Sequence, residues 1–180
     1  MLFEDMGIPP GYGVKQLLFS PAANVLVLQI HSAGEAWRPE RLYFRGIGSD
    51  KYSPIGAPSL LVSQERPCIH SSKPLVAFNQ MQHKFSLNAA GEELHSGDWH
   101  SLEVVSLETG LPVRTVRPDT LRLPSEFRHG WIYDVVAFGD HGLFVNAGLS
   151  YNMKAFVYFI AQLDESGELK PLVELPAVFL

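Results

Sequence analysis

Short apolar runs of roughly four to eight residues alternate along the whole chain with clusters of Gly, Pro, Ser, Asn and Asp, the pattern of strands divided by turns. Three stretches repeat one arrangement, an apolar strand, a tight polar turn and a second apolar strand. They are Leu17–Ser20 with Val25–Leu28, Cys68–His70 with Leu75–Phe78, and Val135–Phe138 with Leu143–Val145. Each is followed by another hairpin, and no stretch carries a sustained helical stripe.

The pattern predicts strands at Val14–Phe19, Val25–Ile30, Arg41–Arg45 and Tyr52–Ile55, then a looser set at Leu60–Val62, Cys68–His70 and Leu75–Phe78. Val25–Ile30 is continuously apolar, which predicts a strand covered on both faces. Leu102–Leu107 alternates as a half-buried strand and turns through Glu108-Thr109-Gly110 into Val113–Val116. Ile132–Phe138, Leu143–Asn146, Phe156–Leu163 and Leu169–Leu175 complete the set; Phe156–Leu163, rich in aromatic and branched residues, is the strongest β signal. Asn88–His100 reads as a polar insertion, with residues 89–95 the best short helix candidate despite Gly91 and Gly97.

Side by side, these units resemble β-propeller blades of the WD-repeat-like superfamily, where an inner hairpin is followed by a strand, a small-Asp/Glu-x-x-Gly turn and an outer strand. Ser20-Pro21-Ala22-Ala23-Asn24 is similar to the inner turn, and Val105–Gly110 and Gln162–Gly167 to the outer one. No Trp-Asp dipeptide or Gly-His pair marks the blades. The resemblance implies an all-β, antiparallel, β-propeller-like fold of three to four blades, at about 40–50 residues each. A two-sheet β-sandwich accommodates the same hairpins. Radial folds close with about four or more blades. A chain with three needs a fourth built from Asn88–His100 and the termini, a second copy, or another partner to cover its open edges.

The 180 residues fit one all-β domain spanning 1–180, and 46% apolar content supplies a core. The net charge of −5 disfavours nucleic acid and is suited to a basic protein partner. Arg114, Arg117, Arg122 and Arg128 are interrupted by Asp119 and Glu126 and read as a solvated face. Cys68 is the single cysteine, so no intrachain disulfide forms; its apolar context fits a buried thiol. The acidic start Met1–Asp5 is unlike a secretion signal and no run has membrane-spanning length, so the expected location is cytoplasmic, with no membrane partner.

The densest polar patch runs from Glu92 to His100. His95, Asp98 and His100 can supply imidazole and carboxylate donors, although their spacing matches no standard metal motif. There is no Gly-x-Ser-x-Gly elbow, and Gly46-Ile47-Gly48-Ser49 lacks the rest of a phosphate-binding loop. No cofactor is implied. Trp99 beside Glu92, Glu93 and Asp98 has the character of an interface anchor, and Trp37 and Tyr151 are the other aromatics expected in loops. Phe44, Phe138, Phe144 and Phe159 are expected in packing.

The resulting expectation is a non-catalytic protein-binding module that contacts its partner through Glu92, Glu93, Asp98, Trp99, Trp37 and Tyr151. Its concrete form is a bacterial immunity-type protein that neutralises a toxin with acidic loops. The alternatives are a metal-assisted hydrolase using His95, Asp98 and His100, and a scaffold that self-associates as a homodimer.

Overall fold

The apolar runs become strands in the computed structural model, which describes residues 11–32, 40–55, 61–62, 66–87, 93–152 and 154–176, with the backbone alone for 32, 61–62, 81–87 and 93–100. Sheet 1 is an antiparallel meander of β1 (Tyr12–Ser20), β2 (Val25–Ser32), β3 (Arg41–Gly46) and β4 (Ser53–Pro54). Sheet 2 contains β5 (Leu61–Val62), β6 (Cys68–Ile69), β7 (Leu75–Leu87), β8 (Glu93–Ser106) and β9 (Pro112–Val116). In it β5 and β6 pair with successive parts of β7 and share one edge position. Sheet 3 repeats the meander with β10 (His129–Gly139), β11 (Gly142–Ser150), β12 (Val157–Leu163) and β13 (Leu169–Leu175). A single 3-10 turn, Pro118–Thr120, lies between β9 and β10.

Period-two alternation gives sheet 2 two apolar faces. Val76, Phe78, Val105 and Leu107 pack against Val25, Val27, Leu42 and Ile55 of the sheet 1 unit. The alternate residues, Ala77, Leu102, Val104 and Val116, pack against Ile132, Val135, Leu143, Val145, Ala147 and Ala161 of sheet 3. Phe78, 1% exposed, is the largest fully buried side chain among the described residues. Removing such a ring from water stabilises the fold by about 1.5–3 kcal/mol. As its continuous apolar run predicts, β2 is buried on both faces, with Leu28 and Ile30 joining Tyr43 and Tyr52 on the far side of sheet 1.

The three sheets share local geometry as well as order. The third-to-fourth strand turns each contain a glycine at positive φ, namely Gly48 at 89°, Gly110 at 72° and Gly167 at 86°. A side chain is strained in that region, so glycine closes each turn. Both β1 and β10 carry a bulge at the same place. The register shifts between Val14 and Gln16 opposite Ile30 and Gln29, and between Ile132 and Asp134 opposite Ala147 and Asn146. The extra residues are Lys15 and Tyr133. The Lys15 Nζ meets the Glu40 carboxylate at 2.7 Å, whereas burial and Tyr158 push the Tyr133 hydroxyl up to about 12.

Three sheets are one more than a sandwich provides, and two further expectations are corrected. Glu93–His100 is strand β8 rather than a polar loop, so it forms neither a helix over 93–95 nor a fourth unit. Arg117, Arg122 and Arg128 are exposed, but Arg114 is half-buried on β9 and its guanidinium donates to the Asp164 carbonyl of sheet 3. Phe44, Phe138 and Phe159 pack against the cores as expected, while Phe144 is half-buried on the outer face of sheet 3. No helix among the described residues is long and apolar enough to cross a membrane.

Candidate protein-binding surface

Strands β7 and β8, at 13 and 14 residues, are far longer than their sheet neighbours. On β7, strand β6 covers Val76 and Ala77, and β5 covers Gln80 and Met81; on β8, strand β9 covers only Leu102–Val105. Among the described residues, Gln82–Leu87 and Glu93–Trp99 therefore pair only with each other. They form a two-stranded arm that reaches about 20 Å past the sheet, at about 3.4 Å per residue. Among the described residues nothing pairs with its edges, whose backbone N–H and C=O groups suit an added strand.

The sequence patch falls on this arm. Glu93 opposes Leu87, His95 opposes Phe85, Trp99 opposes Gln82 and His100 opposes Met81. Asp98 is the extra residue of a bulge, since Gln82 and His83 pair with Trp99 and Gly97. A bulge twists the ribbon and re-aims the residues beside it. Glu92 lies outside the described residues, as does Trp37, and the side chains of Glu93, His95, Asp98, Trp99 and His100 are likewise outside them. Among the described residues no group of three or more His, Cys, Asp or Glu is placed to hold a metal.

Tyr151 follows β11, at the same end of its sheet as the arm is of sheet 2, because both leave a second strand on the way to a third. Its ring is 53% exposed and stacks on Phe127 at 4.8 Å and 28°. Phe127 in turn meets Phe159 edge-on, so the exposed tyrosine stands on the core of sheet 3. Alongside, a cleft of about 400 Å³ opens between the Pro118–Leu123 connection and the start of β10, lined by Asp119, Arg128, His129 and Trp131. The Trp131 ring packs edge-on against Phe156 at 4.8 Å. Phe127 and this cleft were not legible in the sequence, because they depend on the β9–β10 connection folding back.

At the opposite end, a groove of about 580 Å³ between sheets 2 and 3 is lined by His70, Lys73, Arg114, Asp140, Asp164 and Glu165. Several of its polar groups are occupied in bracing turns. The Asp164 carboxylate accepts from Ser166 Oγ at 2.8 Å and from the Ser166 and Glu168 amides at 2.8 and 2.9 Å; these bonds hold its carboxyl below the usual range. Ser72 Oγ donates to Asp140 at 2.5 Å, and Gln162 Nε2 donates to the His141 carbonyl at 2.9 Å. The Nδ1 of His70 accepts the Ser72 and Lys73 amides, both at 3.1 Å; burial, then Lys73, lowers its pKa. Burial raises the Cys68 thiol, which keeps it in the unreactive form. These bonds hold the ends of the strands together, whereas the arm end offers unpaired strand edges among the described residues, which makes it the better candidate surface.

Among known proteins, no family model, curated sequence or solved structure matches the chain.

Proposed function

We propose that the chain is a non-catalytic protein-binding module in which the three sheets are blades of a β-propeller-like array and the β7–β8 arm is the contacting element. The arm carries the reading: it projects beyond its sheet, keeps both edges unpaired among the described residues, and concentrates Glu93, Asp98 and Trp99. The sequence from Gln82 to His100 holds three carboxylates, Glu92, Glu93 and Asp98, against one Lys84. That balance fits a basic protein partner, with charge raising the encounter rate and Trp99 and Tyr151 as aromatic anchors. Blocking a toxin's basic active site is the concrete form of this role.

The test compares what the immobilised native chain and a Glu92→Lys/Glu93→Lys/Asp98→Lys/Trp99→Ala variant retain from extract of the source cells. A protein held by the native chain and lost by the variant, with the thermal midpoint of the two alike, is the expected result. Equal retention by both would remove the arm as the binding element.

A further inference from the structure

Register makes the three sheets superposable position by position. Gln29, Asn79 and Asn146 are each the fifth residue of the second strand of their sheets. Counting outward from that position, Val14 and Leu17 of β1 match Ile132 and Val135 of β10, since they oppose Ile30 and Leu28 as the latter oppose Ala147 and Val145. Phe144, Ile160 and Val173 of sheet 3 likewise match Ala77, Leu102 and Val116 of sheet 2.

The matched residues differ sharply in burial. Ile132 and Val135 are 5% and 6% exposed beneath sheet 2, but Val14 and Leu17 are 45% and 54% exposed, and Phe19 beside them 51%. Val116 is 5% exposed beneath sheet 3, whereas Val173 is 57% exposed. On the face by which a sheet receives its predecessor, sheet 1 therefore leaves its β1 row exposed, although Leu28 and Ile30 of β2 on that face are buried, and on the face by which a sheet receives its successor sheet 3 leaves Val173 exposed. Each exposed row is the mate of the other.

We infer that a second copy of this chain covers both, sheet 3 of each copy packing on sheet 1 of the other. The inference rests on the blade reading proposed above. A head-to-tail contact either closes into a ring or runs on as a filament. Propellers close with about four to eight blades, and six, from two copies of three, is the one multiple of three in that range. The interface already inside the chain shows how the amides act. Asn79 Nδ2 donates across it to the Ile132 carbonyl at 3.3 Å, and the matching bond between copies runs from Asn146 to the Val14 carbonyl of the second copy.

Light scattering on the purified chain over a hundredfold concentration range tests the pairing. The expected mass is about 40 kDa, twice the 20.0 kDa of one chain. A 20 kDa particle throughout, or an open-ended polymer, would overturn the pairing. Leu17→Glu and Val173→Glu alter exposed positions and are expected to give folded 20 kDa chains. Mixing the two variants confines both changes to one interface and leaves the other intact, so dimers return. If Val173→Glu alone changes nothing, or mixing restores nothing, the head-to-tail arrangement is wrong. A monomer that still retains its partner through the arm would remove the pairing and leave the binding reading standing.

Discussion

Strands β10 and β1 are built alike and end in opposite environments. Both enter a meander from the same position, carry a bulge at the same point and align a row of apolar residues with the second strand. In β10 that row lies against sheet 2; in β1 it faces outward. Local sequence and register thus specify a unit that is ready to be packed on, while burial depends on whether a neighbour is present. The β1 row has the character of an interface, because scattered exposed apolar residues are ordinary but an aligned row on one strand is not.

The largest effect should come from the sheet 1–sheet 2 core. Phe78→Ala leaves a ring-sized cavity between two sheets and should cost about 3–5 kcal/mol, read as a fall in the urea midpoint. Next, Ile132→Ala should cost about 2–5 kcal/mol, whereas Val14→Ala at the matching exposed site should fall within about 0.5 kcal/mol in dilute, unpaired chain. Equal losses at both sites would break the comparison. A smaller change sharpens it at the turns: the Cβ of Gly110→Ala would lie 2.9 Å from the Phe44 ring at a φ of 72°, where sheet 2 abuts sheet 1. About 1–2 kcal/mol should be lost there.

The smallest effect concerns pH. The pKa of His70 is lowered in the fold, by burial first and then by Lys73, against a weaker opposing pull from Asp140. The unfolded chain therefore binds the proton more readily. The stability from neutral His70 is fully present above about 6.5 and is lost as pH falls from there through the folded value. His70→Asn, whose side-chain oxygen can accept the same amides, should flatten the stability curve over that window in thermal melts at several pH values. A slope identical to that of the native chain would assign the pH dependence to other groups.

Most of the strands were legible because period-two alternation and turn residues report directly on which face of a strand is covered. Val25–Ile30 shows this well: its unbroken apolar run predicted burial on both faces, and the structure has it. The arm was not legible. Residues 82–100 are polar on average, so nothing in their composition separates a solvated loop from a ribbon whose strands satisfy one another's backbone. The grouping into three sheets was legible from the repeated hairpins, but the split β5–β6 edge was not, since two-residue strands carry too little pattern. Of the site residues, Tyr151 was recognisable as an exposed loop aromatic. Its support on Phe127 required a contact across 24 residues of sequence, which local patterning does not encode.

The mating of the two exposed rows is tested most directly by methyl contacts between copies in a sample mixing two isotope labels. Intermolecular nuclear Overhauser effects joining Val14 and Leu17 of one copy to Ile160 and Val173 of the other are the expected result. Contacts between copies that join Leu17 to Leu17, or none at all at concentrations where dimers are measured, would contradict it.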